Sequence, residues 1–134
     1  MTILGPSISP TLRYRDADAA IKFLHEAFGF EQAMVIPEEN GTIAHAELRY
    51  GNGMVMLGSA VEGTDYGRIA QPPGRSAAYV VVDHADAHHN RAKAAGAEIV
   101  YPPADQEYGS RDYAARDPEG NLWSFGTYRP TLND

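Results

Sequence analysis

The sequence predicts an α+β fold built from two βαβββ modules. One helical stretch spans residues 16–29, from an aspartate to a glycine, and a second spans residues 83–96 in the same way, 67 residues further along. The same offset, half of the chain, relates the turn glycine Gly53 to Gly120. Because a repeated supersecondary unit usually stacks on its copy, we expect a pseudo-symmetric body with a site where the copies meet.

The first module is predicted to run strand, helix, strand, strand, strand. Residues 7–14 form the first strand, and Pro10 places it at a sheet edge or a strand start because proline cannot donate to a ladder. Asp16 suits the helix N-cap, and Gly29 suits the left-handed position after the last turn. Two turns rich in Asn and Gly separate the remaining strands, which are residues 31–36, 42–50 and 54–58.

The second module repeats this order after a linker rich in Gly and Pro at residues 59–75. Its first strand, residues 77–82, is followed by a helix that Asp83 caps and whose inner face is mostly alanine. The remaining strands are residues 97–101, which end at two prolines, 110–116 and 121–128. A single domain is therefore expected over residues 1–134, with modules at about 7–58 and about 76–128.

Composition excludes several classes of function. The chain has 43% hydrophobic and 22% charged residues, a composition typical of folded domains. It has no cysteine, and this absence excludes disulfides, thiolate catalysis and cysteine-bound zinc. No apolar run is long enough for a membrane span, and no signal peptide is recognised, so we expect a cytoplasmic protein without a membrane partner. The net charge of −7 repels phosphate backbones, so nucleic acid is not an expected partner.

Two strings of residues carry a resemblance to a known family. Residues 12–16, Leu-Arg-Tyr-Arg-Asp, lead into a helix that ends Phe-Gly-Phe at 28–30, and residues 116–123 hold an Asp-Pro-x-Gly turn before the last strand. The chain thereby resembles the vicinal oxygen chelate superfamily, which includes glyoxalase I, extradiol dioxygenases, fosfomycin-resistance enzymes and bleomycin-resistance proteins. The resemblance implies a curved, half-open mixed sheet of two βαβββ modules around a cavity, often completed by a homodimer partner.

Metal-dependent members of that family place two histidines and two glutamates on the first, fourth, fifth and last strands. The resemblance puts these positions at Ser9, Met56 (or Leu57, if the repeat offset is used), Ala77 and Ser124. None is a competent ligand for a divalent metal, and a slip of one residue does not help. We therefore predict no metal and no cofactor at the family position. In this the chain resembles the branch of antibiotic-resistance proteins whose members sequester a drug without converting it.

Four polar residues of the first module are candidates for lining the cavity. Strand alternation puts Thr11 and Arg13 on one face, and the resemblance matches Arg13 to the arginine with which glyoxalase I holds its substrate's carboxylate. His45 and Glu47, two residues apart on one strand face, could form a proton-transfer or hydrogen-bonded pair. The alternative for Arg13 is an exposed or interface position, and for His45 and Glu47 an open polar face without catalytic duty.

The second module offers four further candidates. Tyr79, Arg111 and Tyr113 supply aromatic and polar walls of the kind a binding pocket needs, and Ser124 occupies the last family position. Tyrosines of a small sheet are, however, more often core or interface residues. Trp123 and Phe125, which flank Ser124, are expected to face the helices.

The histidines of the second helix admit two interpretations. His84 and His88 have a four-residue spacing that can bind a metal, but we favour a solvated helix face because no third ligand is fixed nearby. A metal held by other ligands, such as His45, Glu47 or Glu107, stays open as an alternative. Asp117 is expected to bond the backbone of its own turn.

Two functions from different classes follow. The leading hypothesis is a metal-free, dimeric small-molecule binding protein of the bleomycin-resistance type, and the acidic charge suits a cationic glycopeptide or amine as its ligand. The alternative is a glyoxalase-like lyase or isomerase that works without a metal. There, His45 would be the base and Arg13 would hold a small anionic substrate.

Overall fold

Each half of the chain folds into its own four-stranded sheet. The computed structural model describes residues 1–133. The first half contains β1 (Thr11–Tyr14), α1 (Ala17–Phe28), β2 (Glu31–Pro37), β3 (Ile43–Tyr50) and β4 (Gly53–Ser59). The second half contains α2 (Asp65–Ile69), β5 (Ala77–Val81), α3 (Ala85–Ala94), β6 (Glu98–Asp105), β7 (Arg111–Arg116) and β8 (Leu122–Gly126).

The two sheets have the same topology. Their strand orders are β1-β4-β3-β2 and β5-β8-β7-β6. In each sheet the first strand of the module pairs in parallel with the last strand, and the other neighbours are antiparallel. The α+β fold of two βαβββ modules is confirmed, as two mixed sheets that do not close into a barrel.

Helix α1 begins and ends where local chemistry predicted. The Asp16 carboxylate accepts a hydrogen bond from the backbone N–H of Ala19 at 3.1 Å, and Gly29 ends the helix with a φ of +83°, which L side chains adopt only with strain. The apolar residues at helical spacing are all buried; they are Ala20, Ile21, Leu24, Ala27 and Phe28. This face packs the helix against the first sheet.

The second module departs from the prediction at its helix. Helix α3 begins after His84 rather than after Asp83, and no side chain caps its N-terminus. The linker also holds a short helix that the Gly and Pro content concealed. There Thr64 accepts a hydrogen bond from the backbone N–H of Gly67 at 2.9 Å.

Strand β6 runs through the two prolines at which it was expected to stop. It extends to Asp105, with irregular pairing to β7 between Tyr101 and Ala104. Prolines are tolerated there because β6 is an edge strand, where a missing donor on the outer side breaks no ladder bond.

A shared core joins the modules. The ring of Phe28, from α1, lies 5.8 Å from Trp123 and 4.8 Å from Phe125 of β8, measured between centroids. All three side chains are buried. Because each module contributes a wall of the same core, neither sheet buries its apolar face alone.

The turn before β8 fastens the second module to the first. Asp117 Oδ2 accepts hydrogen bonds from the Tyr14 hydroxyl at 2.6 Å, from Trp123 Nε1 at 3.0 Å and from Asn121 Nδ2 at 3.0 Å. Its Oδ1 accepts from the backbone N–H of Glu119 and of Asn121. The expected turn role is therefore present, and the bond to Tyr14 adds a cross-module link. Burial, and then the charge of Asp117, raise the pKa of Tyr14, so this hydroxyl stays a donor.

Glu119 of the same turn binds the start of α1. Its two carboxylate oxygens accept from the backbone N–H of Arg15 at 2.6 Å and of Asp16 at 2.8 Å. A carboxylate next to a helix N-terminus is favourable because unpaired N–H groups and the helix dipole meet there.

None of the helices formed by residues 1–133 is both long and apolar enough to cross a membrane.

Candidate ligand-binding surface

Each sheet has one face packed in the core and one open face. On β3, Ala46 and Leu48 are 0% and 1% exposed, whereas His45 and Glu47, which alternate with them, are half-buried on the other side. The apolar set therefore faces the core and the polar set faces outward, as the alternation predicted. The open faces are where a ligand can reach the sheets.

The open face of the first sheet brings together four of the eight predicted residues. Thr11 lies beside Met56 in register, and Met56 lies beside Glu47. The next row holds Arg13, beside Gly58, and His45. Strand spacing puts the backbones of Arg13 and His45 roughly 10 Å apart, which a long arginine side chain can partly span.

Arg13 lies flat under the linker helix. Its guanidinium carbon is 4.6 Å from the centroid of the Tyr66 ring, a cation–π contact. A Cβ at Gly58 would stand 2.2 Å from Arg13 Nη1, so this glycine leaves the room that the guanidinium occupies. Arg13 Nε is buried without a hydrogen-bond partner. Arg13 is thus a fixed cation with unused donor capacity.

His45 and Glu47 form the predicted pair. His45 Nε2 lies 2.8 Å from Glu47 Oε2, and both side chains are half-buried. A carboxylate bonded to one ring nitrogen fixes the orientation of the imidazole. The pair can hold a polar ligand group or exchange a proton with one.

The open face of the second sheet holds Tyr79 and Ser124. They lie opposite each other on β5 and β8, and the Tyr79 hydroxyl donates to the carbonyl of Tyr128 at 2.7 Å. Burial is the main cause that raises the pKa of Tyr79. This tyrosine is therefore a neutral donor at the open face.

Two predicted residues of the second module lie on the opposite face. Tyr113 is fully buried, in register with Phe125, and its hydroxyl bonds His88 Nδ1 at 2.5 Å. Arg111 binds Asp86 on α3 and the nearby Asp105, both at 3.1 Å. The placement of Arg111 and Tyr113 on the cavity face was therefore wrong. Counting back through the Asp-Pro-x-Gly turn pairs Tyr113 with Phe125, which was already assigned to the helix side.

The expectation of a solvated histidine face was wrong for His88. Its ring lies 4.4 Å from that of Phe125, and Nε2 lies 2.8 Å from the carbonyl of Phe28. Burial lowers the pKa of His88, so the ring is neutral, with Nε2 as donor and Nδ1 as acceptor from Tyr113. With both nitrogens engaged, His88 cannot pair with His84 around a metal.

The residues at the family's metal positions do not fit a divalent ion. Met56 and Ser124 lie on the open faces of separate sheets, Ala77 begins β5, and Ser9 precedes β1. A thioether, a methyl group and two hydroxyls do not form a donor set for such a metal. Among residues 1–133, no group of three or more His, Asp or Glu side chains is placed to hold an ion.

A cavity of about 340 Å³ opens between the modules. Tyr50 and Met54 line it from the first module and Asp83 from the second, and burial, followed by the charge of Asp83, raises the pKa of Tyr50. The repeat relates this opening to the junction at the start of α1, where Glu119 binds the backbone. The residue that corresponds to Glu119 at the 67-residue offset is Asn52, which is exposed. The two junctions are therefore not equivalent.

Three residues near Tyr79 were missed in the sequence. Asp112 is 7% exposed on the open face of β7, the Tyr108 hydroxyl donates to it, and Tyr128 stands beside Tyr108. The alternation that buries Tyr113 also turns Asp112 to the open face, so the corrected register would have found Asp112. The tyrosines lie in a loop and a terminal segment, where no periodicity guides a prediction.

Comparison with known proteins identifies the family. The sequence profile of the Glyoxalase/Bleomycin resistance protein/Dioxygenase superfamily matches residues 8–125. The chain belongs to this superfamily. The match covers every strand and helix of both modules except the last residue of β8, so the open faces described above are those of this fold.

Similar proteins cover nearly the whole chain. The crystal structure of TioX from Micromonospora sp. ML1 shares 36% sequence identity, with a TM-score of 0.77 over 93% of this chain and 100% of that chain. An uncharacterized protein of Mycobacterium tuberculosis is 34% identical over 90% of this chain and 74% of its own length. The structure of lactoylglutathione lyase from Agrobacterium tumefaciens shares 25% identity, with a TM-score of 0.68 over 90% of this chain and 93% of that chain.

Proposed function

We propose that this chain is a metal-free small-molecule binding protein, similar to the bleomycin-resistance branch of its superfamily, that holds a ligand on the open faces without converting it. The chemistry of four residues carries the proposal: the positions that the resemblance assigns to metal ligands hold Ser9, Met56, Ala77 and Ser124, which do not suit a divalent ion. The same open faces keep polar and aromatic side chains that suit recognition. Those side chains are Thr11, Arg13, His45, Glu47 and Tyr79, together with Ser124.

Calorimetry tests this proposal. Metal-free protein is titrated with a panel of cationic glycopeptide and amine antibiotics, because the net charge of −7 favours cations. We expect saturable binding, with the antibiotic recovered intact by mass spectrometry. Glu47→Gln should weaken it, and Asp18→Asn, an exposed carboxylate on α1, should not. Absence of binding at high micromolar concentration would exclude cationic antibiotics as the ligand class.

The second candidate is a glyoxalase-like lyase or isomerase. The bond of 2.8 Å between His45 and Glu47 favours it, because an oriented imidazole is a ready general base. Arg13, with its unused donor, would hold a small anionic substrate. If this candidate is right, His45→Ala abolishes turnover and leaves substrate binding intact. Equal loss of both would indicate a binding role.

A homodimer is part of the proposal. The edge strands β2 and β6 expose apolar side chains; these are Met34, Ile36, Val100 and Tyr101. Covering such edges with a second copy removes apolar surface and unpaired strand from water. Light scattering after size exclusion should give twice the mass of the chain, 14.6 kDa, and Ile36→Glu should lower it. A monomer at tens of micromolar would contradict this part.

Nucleic acid and membrane are not proposed partners, and the cytoplasm is the proposed location.

A further inference from the structure

We propose that the open face of the second sheet binds an organic ammonium group in a cleft walled by Tyr79, Tyr108 and Tyr128, with the Asp112 carboxylate behind Tyr108 supplying negative potential. These four residues are called the tyrosine cleft. The inference rests on the proposed function, that the chain binds small molecules on its open faces. It adds the chemical class of the bound group and the residues that select it.

Asp112 is a buried carboxylate without a cation. Only 7% of the residue is exposed, and the hydroxyls of Tyr108 and Ser110 donate to its two oxygens. None of the ion pairs formed within residues 1–133 includes Asp112. A buried charge is unfavourable unless it is paired, so the site favours any ligand that supplies the missing positive charge.

The residues around Asp112 leave its carboxylate unpaired and give it room at the open face. The neighbouring Arg111 points to the other side of β7 and is occupied by Asp86 and Asp105. Opposite Asp112 on β8 stands Gly126. A Cβ there would lie 2.1 Å from Asp112 Oδ1 and 2.6 Å from the Tyr79 hydroxyl oxygen. The glycine therefore leaves the space in which carboxylate and hydroxyl approach each other.

The three tyrosines leave large aromatic surfaces in water around this charge. Their exposed fractions are 44% for Tyr79, 62% for Tyr108 and 50% for Tyr128. With Pro130 they line a cleft of about 530 Å³, and Asp112 lies behind the Tyr108 hydroxyl, from which it accepts a hydrogen bond, rather than in the lining itself. The rings of Tyr108 and Tyr128 are nearly perpendicular, with centroids 6.1 Å apart. The hydrogen bond from Tyr79 to the Tyr128 carbonyl holds two of the walls together.

The electrostatics of the cleft select a cation. The face of an aromatic ring is negative and attracts ammonium groups. The hydrogen bond to Asp112 is the main cause that raises the pKa of Tyr108 to about 12, so its hydroxyl stays protonated and donates to the carboxylate. That donation makes the phenol ring more electron-rich. An anion would be repelled by Asp112, and a neutral apolar group would leave the charge uncompensated.

The test compares two probes of the same shape and different charge. Choline carries a quaternary ammonium group, and 3,3-dimethylbutan-1-ol is its neutral carbon analogue. Both are titrated into the wild-type protein while the tyrosine side-chain resonances are followed by NMR. We expect choline to bind at least about tenfold more tightly than the alcohol, with shifts at the rings of Tyr79, Tyr108 and Tyr128. Equal affinities, or shifts elsewhere, would overturn the inference.

Variants separate the charge from the rings. Asp112→Asn keeps the volume of the side chain and should remove most of choline's advantage over the alcohol. Tyr128→Leu changes an exposed ring, leaves the core untouched and should weaken choline about threefold or more. Tyr66→Leu is the matched control, since Tyr66 is 43% exposed on α2, where its ring contacts Arg13 of the other sheet, and it should leave choline binding unchanged. A choline affinity that survives Asp112→Asn and Tyr128→Leu would overturn the inference.

The same variants distinguish this inference from the function on which it rests. If an antibiotic of the calorimetric panel binds wild type and Asp112→Asn equally, the binding function stands and the tyrosine cleft is wrong. If choline selects the cleft as predicted and the whole panel fails to bind, the cleft stands and antibiotic sequestration is wrong.

Discussion

Asp117 shows how far a single side chain can join the two halves of this molecule. It accepts five hydrogen bonds while only 4% exposed. The turn that it caps could be predicted from the Asp-Pro-x-Gly string. Its bond to Tyr14 could not, because 103 residues separate the two and no local pattern pairs them.

Removing this carboxylate should weaken the whole fold. Asp117→Ala leaves the donors of Tyr14, Trp123 and Asn121 buried without an acceptor, so we expect a loss of about 3 kcal/mol or more in the free energy of unfolding. Urea denaturation measures it. Asp18→Ala, which removes an exposed ion pair on α1, should stay within about 0.5 kcal/mol. Similar losses for both variants would contradict the assigned role.

Gly58 has a steric role that a substitution can test. A methyl group at this position would meet Arg13 Nη1 at 2.2 Å and the Ala44 carbonyl at 2.9 Å. Gly58→Ala should therefore displace Arg13 from the Tyr66 ring and lower the free energy of unfolding by about 1–3 kcal/mol. Gly5→Ala, where nothing lies within 4 Å, is the control and should leave both unchanged. An unshifted Tyr66 resonance in Gly58→Ala would contradict the packing.

Residue alternation predicted the open-face residues of β3, β5 and β8 but failed on β7. His45 and Glu47 alternate with buried alanine and leucine, which fixes their side of β3 from the sequence alone. Arg111 and Tyr113 have no such contrast, because small and buried residues lie on both sides of β7. Their face follows only from the pairing with β8. The sequence also could not place Asp112 beside Tyr108 and Tyr128, because their meeting depends on the paths of two irregular segments.

At the level of elements, helices α1 and α3 pack against each other but differ in how the sequence specifies them. Helix α1 carries its own N-cap and C-cap signals, and both were predicted. Helix α3 lacks a side-chain cap, and its position depends on contacts with α1. Arg91 donates to the carbonyls of His25 and Glu26 at 2.8 and 2.9 Å, and His88 bonds the carbonyl of Phe28. Cross-module contacts of this kind leave no periodic signal in the chain.

The His88 contact should make stability depend on pH. Burial lowers the pKa of His88 from its ordinary 6.5, so below pH ~6.5 the unfolded chain takes up this proton before the folded chain does. The contribution of His88 is therefore complete above that pH and is lost as the pH falls toward its lowered pKa. Urea midpoints measured from pH 7 down to pH 5 should decrease.

Two variants test whether His88 causes this dependence of the urea midpoint on pH. His88→Gln keeps a donor for the Phe28 carbonyl and removes the titration, so its urea midpoint should change less with pH than that of the wild type. His84→Gln alters an exposed histidine and should keep the wild-type slope. An unchanged slope in His88→Gln would show that another group titrates.

At the scale of the whole molecule, the repeat and the family match account for the fold. The proposed function depends instead on the residues at the positions that the resemblance assigns to metal ligands. The 67-residue repeat predicted two βαβββ modules, and the structure has them as two mixed sheets joined by one core. The open faces carry Arg13 with spare donors on one sheet and Asp112 without a cation on the other. We infer that these charged groups serve recognition, and the positions that the family resemblance assigns to metal ligands hold residues that do not suit a divalent ion.

Metal content tests this account most directly. Untagged protein is incubated with Mn²⁺, Ni²⁺ and Zn²⁺, dialysed and analysed by inductively coupled plasma mass spectrometry. The account predicts far less than one ion per chain for each metal, because two hydroxyls, a thioether and a methyl group form no divalent site. Near-stoichiometric metal that survives dialysis, and that Ser124→Ala or His45→Ala removes, would contradict it.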